Sequence, residues 1–427
     1  MNDIAIMTGA SRPGAIDRFL RQQLLDRMRG LRHGRLLLED AWDTVELGDP
    51  ADTRPRIHLR VRDARFYRTV ARNGSVGAGE SYMEGQWHCD NLVGLIQLLV
   101  RNRNLLDGME SGMARLGGMA MRAWHALRAN TRQGSRRNIA AHYDLGNDFF
   151  ELFLSQDLMY SSAVWTGPGD TLEAASTRKL ERICRKLDLK PSDRVVEIGT
   201  GWGGFALYAA QNYGCHVTTA TISREQHALA SKRVAAAGMG AHIELLLQDY
   251  RDLRGQYDKL VSIEMVEAIG ASYLDVYFEK LGSLLKPDGL ALVQAITIED
   301  HRYAQALTSV DFIKRHVFPG SFIPSVNALL AAKTRASDLA LTQLEDFGSS
   351  YALTLQAWRE RFMAHLPQVR AQGFDDRFIR MWEFYLAYCE GGFRERSIGV
   401  VHLLMARPGN RRPALLPEIP LHVELPV

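Results

Sequence analysis

The sequence predicts an α/β protein with a doubly wound, mainly parallel sheet of seven strands, preceded by a smaller α+β domain. From residue 138 onward, apolar strand candidates alternate with helical stretches. This alternation is typical of parallel strands that are covered by helices on both faces. The first of these strands runs directly into a glycine-rich turn. With 427 residues, the chain is too long for one ordinary compact domain and long enough for two.

The N-terminal domain is expected to comprise residues 1–125. Apolar and Arg residues recur at helix-like intervals over residues 17–37, residues 57–62 alternate as in a half-buried strand, and residues 92–106 are helical in pattern. The following stretch is rich in Met, Ala and Arg and contains two small-residue joints, Gly117-Gly118 and Gly134-Ser135. We therefore predict a linker at residues 126–137.

The second domain is expected to comprise residues 138–408. Its strand candidates are residues 194–198, 216–222, 242–247, 259–264, 289–297, 339–344 and 398–406. A long insert, residues 299–337, separates the fifth strand from the sixth and would form a lid or substrate wall over the carboxyl edge of the sheet. From Pro408 the chain has five prolines and no helical period, so we expect residues 409–427 to be extended or disordered.

Charge is distributed unevenly along a chain whose composition, 46% hydrophobic and 24% charged, is that of a globular protein. Residues 1–140 contain 22 Arg, no Lys and 15 acidic residues, a net charge of +7. This excess suits an anionic surface such as phospholipid headgroups or nucleic acid, with a solvated basic face as the alternative. No apolar stretch reaches the ~20 residues of a membrane span, and the four cysteines lack C-x-x-C spacing, so we predict a cytoplasmic protein without a metal site or disulfides.

The glycine-rich turn predicts a nucleotide-type cofactor pocket. Gly199, Gly201 and Gly203 are spaced G-x-G-x-G, and the acidic Glu197 stands two positions before the first glycine. This pattern differs from the dinucleotide fingerprint G-x-G-x-x-G. It is typical of S-adenosylmethionine (SAM) methyltransferases of the doubly wound class.

Further cofactor contacts are expected where the neighbouring strands end, because ligands of open α/β sheets bind outside the carboxyl ends of the strands. The candidates are Thr221, Ser223 and Gln226 after the second strand, Gln248, Asp249 and Tyr250 after the third, and Glu264 after the fourth. Neutral groups after the second strand replace the ribose-binding acid of a generic SAM enzyme. We expect Gln248 and Asp249 to bind the adenine edge and Tyr250 to stack on it.

Several ordered motifs resemble those of the cyclopropane-fatty-acyl-phospholipid synthase family, whose relatives include mycolic acid methyltransferases. Besides the glycine turn, they are residues 142–150, 159–163, 221–226, 248–252, 264–270, 318–320 and 391–394. The resemblance covers about residues 79–408. From the first two motifs, Tyr143, Tyr160 and Ser161 join the candidate cofactor-binding residues.

The resemblance implies that SAM donates a methyl group to a cis double bond of a phospholipid acyl chain. The new methyl group then loses a proton to a bound bicarbonate as a cyclopropane ring closes. The catalytic residues that would hold this ion are Ser162, Glu267, Gln294, Ile296 and Tyr351, with Glu267 accepting a hydrogen bond from it. Ser162 and Gln294 stand where the best-known bacterial pattern has Cys and His, so a methylene- or methyl-branched product is the alternative.

Two other classes of function explain less of the sequence. A nucleic-acid methyltransferase would use the basic N-terminal region, but the chain has no N-P-P-Y type motif and no interleaved basic and aromatic residues, so we expect no nucleic-acid partner. A non-enzymatic lipid-binding protein would leave the glycine turn and Glu267 without a role. The expected partner is the surface of a phospholipid bilayer, approached from its cytoplasmic face, and a homodimer is left open.

Overall fold

The computed structural model describes residues 13–107, 145–167 and 169–413. The chain divides into two compact units. The first unit comprises Met1–Leu127, Thr308–Pro319 and Arg359–Ser397, and the second comprises Arg128–Leu307, Gly320–Trp358 and Ile398–Val427. The predicted linker at 126–137, the candidate Tyr143 and residues 414–427 of the predicted tail lie outside the described residues, and the domain limits stay a prediction.

Helices and strands follow one another along the described part of the chain. The N-terminal elements are α1 (Ala15–Met28), β1 (Arg35–Glu39), β2 (Thr44–Gly48), β3 (Ile57–Val61), α2 (Arg65–Met83), β4 (Trp87–Cys89), α3 (Leu92–Arg101) and α4 (Arg103–Asp107). The remaining elements are α5 (Asn147–Glu151), α6 (Leu172–Leu187), β5 (Arg194–Ile198), α7 (Gly204–Tyr213), β6 (His216–Thr221), α8 (Arg224–Ala236), β7 (Ile243–Leu247), β8 (Tyr257–Ile263), α9 (Leu274–Leu284), β9 (Leu285–Ile298), α10 (Tyr303–Thr308), α11 (Phe312–His316), α12 (Val326–Ala336), β10 (Ala340–Asp346), α13 (Gly348–Ala364), α14 (Leu366–Ala371), α15 (Asp376–Arg394) and β11 (Ile398–Ala406).

The first unit contains a four-stranded sheet with the order β2-β1-β3-β4. Helix α15 packs against α2 and α3 in this unit, where the Tyr82 hydroxyl donates to Glu383 at 2.8 Å and the Gln97 amide donates to Glu395 at 2.7 Å. The helix-like pattern over residues 17–37 ends earlier than expected, at Met28, and β1 begins at Arg35. Alternating burial of Leu36 and Leu38 explains the change, because it favours a strand.

The second unit contains the predicted seven-stranded sheet, with the order β10-β11-β9-β8-β5-β6-β7. Strands β5 to β9 pair in parallel, and β11 runs antiparallel to both β9 and β10. Buried side chains pack on both faces of the sheet, so the central strands are apolar almost throughout. The predicted fold class is confirmed, and the carboxyl ends of β5, β6, β7 and β8 share one edge.

The insert between β9 and β10 carries α10, α11 and α12. In the second unit its backbone joins the sheet edge, because the Phe322 amide donates to the Glu267 carbonyl at 3.0 Å and Ile298 pairs with Ser325. Phe322 and Leu329 belong to the core of this unit. The role of the insert as a lid stays a prediction. Within the described helices, none combines the length and the apolar character that crossing a bilayer requires.

Candidate active site

The glycine turn closes the carboxyl end of β5 as the sequence predicts. The amides of Gly199 and Thr200 donate to the Ala220 carbonyl at 3.0 and 3.1 Å, and the Gly203 amide donates to the Thr200 carbonyl at 2.9 Å. The φ angles of Gly199, Gly201 and Gly203 are 99°, 53° and 84°. A side chain would strain all three positions, so glycine lets the backbone turn sharply before α7 begins.

Glu197 lies on β5, two residues before the turn, and is buried. Its carboxyl accepts a hydrogen bond from the Thr219 hydroxyl at 2.6 Å, and the Thr200 hydroxyl lies 2.7 Å from that of Thr219. Burial raises the pKa of Glu197 to about 8. The predicted cofactor acid is therefore held by Thr219, whose hydroxyl in turn contacts that of Thr200 in the turn.

The candidates after β6 cap the next helix. Thr221, Ser223 and Gln226 are all buried. Ser223 is the N-cap of α8, and its hydroxyl accepts from the backbone amide of Gln226 at 3.2 Å. The Thr221 hydroxyl donates to the Gln226 side-chain oxygen at 2.8 Å. These contacts bring the three predicted residues together, with Thr221 and Gln226 already hydrogen-bonded to each other.

The candidates after β7 lie beside this cap, because the Gln248 amide donates to the Thr221 carbonyl at 2.9 Å. Both carboxylate oxygens of Asp249 accept from the Arg251 guanidinium, at 2.8 and 2.6 Å. The Tyr250 ring packs edge-on against Tyr277 with ring centroids 5.9 Å apart, and burial raises the pKa of Tyr250 to about 12. Asp249 thus anchors Arg251 in this structure.

Glu264 is the centre of a second polar cluster at the end of β8. Its Oε1 accepts from the Ser162 backbone amide at 2.9 Å and from the Gln294 amide at 2.8 Å, and its Oε2 accepts from the Tyr351 hydroxyl at 2.7 Å. Removal from water raises the pKa of Glu264. Its φ of 48° is unusual for a residue with a side chain and marks a strained position.

Three residues that the sequence assigns to an anion thus converge on Glu264, which the sequence assigns to the cofactor. Ser162 takes part through its backbone amide, while its hydroxyl donates to the Ala163 carbonyl at 2.9 Å. In this structure the Ser162, Gln294 and Tyr351 donors therefore bind the two carboxylate oxygens of Glu264.

Among the described residues, Glu267 is hydrogen-bonded through only one of its two carboxyl oxygens. Its Oε1 accepts from the Ile296 backbone amide at 2.5 Å, so Ile296 contributes its N–H group. Its Oε2 is buried and has no hydrogen-bond partner among the described residues. Desolvation, and next the nearby charge of Glu264, raise the pKa of Glu267 to about 8. The raised pKa favours the protonated carboxyl, whose Oε2 can donate, whereas the sequence resemblance implies that Glu267 accepts a hydrogen bond.

An aromatic wall adjoins the Glu264 cluster. The Tyr160 ring lies 5.2 Å from the Trp358 ring and 5.3 Å from Phe150, and Phe150 lies 5.0 Å from Trp202, a residue of the glycine turn. The Tyr351 ring meets Trp358 edge-on at 6.1 Å. Tyr351 therefore joins the aromatic wall to the carboxyl cluster.

Three buried ionisable residues of the site escaped the sequence analysis. Lys179 is completely buried on α6, where its ammonium donates to the predicted Ser161 hydroxyl at 2.7 Å, and burial lowers its pKa to about 8. His402 on β11 lies opposite Gln294 on β9, with its Nε2 2.9 Å from the Gln294 oxygen. Lys186 lies seven residues after Lys179 on the same helix, and its Nζ is 3.1 Å from His402 Nδ1.

A seven-stranded sheet of this order, with a glycine turn at the carboxyl end of β5 and polar residues at the ends of the adjacent strands, defines a class I SAM-dependent methyltransferase. Residues 130–403 match the model of the family described as mycolic acid cyclopropane synthetase. The chain belongs to this family.

The chain is also similar in sequence to proteins that are named for reactions on fatty acyl chains. The chain is 38% identical over 378 residues to the tuberculostearic acid methyltransferase UfaA1 of Mycobacterium tuberculosis, covering 84% of this chain and 85% of that protein. It is 37% identical over 374 residues to the cyclopropane-fatty-acyl-phospholipid synthase of Escherichia coli K12, covering 87% and 92%.

Among solved structures, the chain is similar to the mycolic acid cyclopropane synthase CmaA1 complexed with S-adenosylhomocysteine (SAH) and CTAB. The TM-score is 0.59 at 28% identity, covering 64% of this chain and 98% of that one. The expected family and class of enzyme are confirmed, and SAM is the methyl donor.

Proposed function

We propose that this enzyme transfers the methyl group of SAM to a cis double bond of an unsaturated phospholipid acyl chain and closes a cyclopropane ring. The observation that carries the proposal is the position of Tyr351, whose ring belongs to the aromatic wall and whose hydroxyl donates to Glu264. The aromatic wall, which can stabilise a cation, is therefore next to the Glu264 cluster, whose carboxyl group can exchange a proton. The 37% identity to the E. coli synthase supports the same product.

The reaction makes two demands on the protein. The alkene electrons attack the methyl carbon and the carbon–sulfur bond breaks, which leaves a positive charge on the neighbouring chain carbon. The electrons of one C–H bond of the new methyl group then close the ring as its proton departs. Aromatic faces such as those of Tyr160 and Trp358 stabilise the cation and exclude water, which would otherwise capture it.

Bicarbonate is proposed as the proton acceptor, since the residues present suit a small oxyanion. Glu267 Oε2 has no hydrogen-bond partner among the described residues, and in the protonated form it would donate to the ion. The Ile296 amide, the Gln294 amide and the Tyr351 hydroxyl donate to Glu267 and Glu264 in this structure, so they would hold the ion by turning from these carboxyl groups. When bound, the ion would supply a base close to the developing charge. The residues of the chain hold the oxygen atoms, orient them and keep water away.

A methylene- or methyl-branched product is the second candidate. It results when the cation rearranges or loses a proton from a chain carbon before the ring closes. The 38% identity to a tuberculostearic acid methyltransferase supports this alternative. So does the presence of Ser162 and Gln294 where the resemblance leads one to expect Cys and His.

Deuterium-labelled SAM distinguishes the two products. Purified enzyme is incubated with trideuteromethyl-SAM and vesicles of a dioleoyl phospholipid, and the acyl chains are analysed by mass spectrometry after derivatisation of double bonds. A cyclopropane keeps two of the three deuterium atoms and has no double bond. A methylene-branched chain also keeps two, because the proton leaves from the transferred methyl group after a hydride shift, but it has a double bond. A methyl-branched alkene, which loses a proton from a chain carbon, keeps all three. Absence of label in the lipid would refute the proposed substrate.

A second arm tests the proposed ion. In carbon dioxide-free buffer the rate is expected to fall, and added bicarbonate is expected to restore it. Full activity without bicarbonate would assign the base to a carboxylate of the protein.

The proposed partner of the first unit is an anionic phospholipid bilayer at its cytoplasmic face. Helix α1 exposes 62% of Ile16 and 63% of Phe19, which are three residues apart and share a face, with the exposed Arg18 between them. The N-terminal part of this unit, residues 1–127, contains 18 Arg, no Lys and 15 acidic residues, a net charge of +3. An apolar pair with a cation beside it suits an interface of headgroups and acyl chains.

A further inference from the structure

We propose that His402 is a positioning residue that fixes the Gln294 side chain with its amide N–H toward Glu264. The inference deepens the proposed function of the Glu264 cluster and rests on it for its catalytic consequence. The geometry itself involves only residues of the second unit.

Three contacts of the Gln294 side chain depend on which way its amide group is turned. Its Nε2 donates to Glu264 Oε1 at 2.8 Å and to the Ser162 carbonyl at 3.4 Å, and its Oε1 lies 2.9 Å from His402 Nε2. Gln294 and His402 are completely buried and lie opposite each other on β9 and β11. An amide turned by half a rotation would direct its oxygen at the Glu264 carboxylate, and two acceptors would repel each other. A donor at His402 Nε2 excludes that arrangement.

The other side of the imidazole supplies this donor. Lys186 Nζ lies 3.1 Å from His402 Nδ1. An ammonium group can only donate, so Nδ1 accepts and the ring proton of a neutral histidine stands on Nε2. Lys186 is held in turn by the Glu345 carboxylate, which also accepts from Arg182 Nε at 2.9 Å.

The charges around the ring keep it neutral. Lys179, Arg182 and Lys186 act on it from α6, and Glu345 acts from β10 at 3.8 Å from Nδ1. Burial, together with the three cations, holds the pKa of His402 well below its usual range. Hydrogen bonds therefore run in one direction, from Lys186 through His402 and Gln294 to Glu264.

Three variants test the role of His402. His402→Leu removes the donor and is expected to lower kcat about tenfold through misplacement of the amide, with KM for SAM unchanged. His402→Gln restores a donor toward Gln294 and is expected to recover most of the rate. Leu404→Ala, on the same face of β11, is the control for loss of packing. Equal loss of kcat in His402→Leu and Leu404→Ala at equal thermal stability would overturn the proposal.

Lys186→Met gives a signature that packing alone does not. Without the ammonium group the neutral ring can carry its proton on Nδ1, which turns Nε2 into an acceptor and favours the reversed amide. Burial, the largest cause of the low His402 pKa, remains in this variant, so the ring stays neutral and kcat is expected to fall by about the same factor at about pH 6 and at about pH 8. Lys186→Arg keeps a charged donor toward Nδ1 and is expected to retain most of the rate. Equal losses of kcat in Lys186→Met and Lys186→Arg would contradict the proposal.

Nitrogen-15 NMR of histidine-labelled protein tests the geometry without any lipid. We expect His402 of the native enzyme to be neutral with its proton on Nε2, and Lys186→Met to shift the ring toward the Nδ1 form. A native ring with its proton on Nδ1 would overturn the inference even if the enzyme makes the proposed product. If NMR shows the expected tautomer but the lipid acquires no label from SAM, the proposed substrate is rejected and the inferred geometry still holds.

Discussion

At the scale of single residues, Glu267 gives the sharpest prediction. Its pKa is raised to about 8, so the carboxyl is protonated in neutral solution and ionises as pH rises. If Oε2 donates to a bound anion, the rate of methyl transfer should fall as pH rises through about 8. Glu267→Gln keeps a donor of similar size and cannot titrate, so it should lose this alkaline limb while retaining about a tenth of the rate.

Rate measurements from neutral to alkaline pH check this expectation, with unchanged SAM affinity as the control for folding. A rate that rises through the same range in the native enzyme, together with an inactive Glu267→Gln, would mean that the ionised carboxylate is the working form.

The sequence predicted individual site residues better than their grouping. Local spacing suffices to predict the glycine turn, because all the residues that form it are adjacent in the sequence. The partners of Glu264 are 30, 87 and 102 residues away, and only the packed sheet brings them to one carboxylate. A signal for the missed cations does exist, since Lys179 and Lys186 are seven residues apart and lie on the buried face of α6.

At the scale of elements, α13 organises the wall of the site. Ser350, Thr354 and Trp358 recur at four-residue intervals and face the segment after Tyr160. The Thr354 hydroxyl accepts from the Ala163 amide at 3.1 Å and from Trp165 Nε1 at 3.0 Å, and it is completely buried. Thr354→Val keeps the shape but leaves both donors without this acceptor.

The expected cost of Thr354→Val is about 2 kcal/mol, because each stranded buried donor costs about 1–3 kcal/mol and relaxation recovers part of it. A midpoint of thermal unfolding lower by about 4–8 °C would agree. The control is Thr334→Val on α12, where the hydroxyl donates only to the Leu330 carbonyl and is exposed. Equal shifts in the two variants would show that Thr354 does not anchor α13 to this segment.

Element boundaries were predictable where one physical signal dominates. The seven strands of the large sheet were located from apolar runs bounded by polar residues, which is the pattern expected of the central strands because they are buried on both faces. The edge strand β10 instead alternates between exposed and half-buried residues. The helix-like pattern predicted over residues 17–37 was wrong in its second half, because the apolar spacing first fits a helix and then a strand. The break falls at Gly30 and Gly34, and Gly34 has a φ of 148° that a helix does not allow.

At the scale of the whole molecule, the first compact unit takes its residues from three separate stretches of the chain. Residues 308–319 and 359–397 follow the first strands of the large sheet in sequence but cluster with the N-terminal residues. Helix α15 shows why sequence alone does not reveal this. Its apolar face indicates that the helix is buried. Which helices it packs against, α2 and α3, depends on the tertiary fold.

The charge asymmetry of the whole chain leads to the last prediction, that the first unit carries the enzyme to anionic bilayers. Co-sedimentation with vesicles containing an anionic phospholipid should be strong at low salt and weaker at high salt, because screening shortens the reach of the Arg charges. Ile16→Ser combined with Phe19→Ser should lower the partition coefficient by about tenfold or more, since each fully buried apolar side chain contributes about 1.5–3 kcal/mol.

Val276→Ser is the matched control, because Val276 is a 40% exposed apolar residue of α9 in the second unit. It should bind vesicles as the native enzyme does. If Val276→Ser and the Ile16 and Phe19 double variant lose binding equally, the apolar pair on α1 is not the contact. If neither loses binding while salt still abolishes it, the Arg residues alone hold the bilayer, and the acyl chain must reach the site without an apolar anchor on α1.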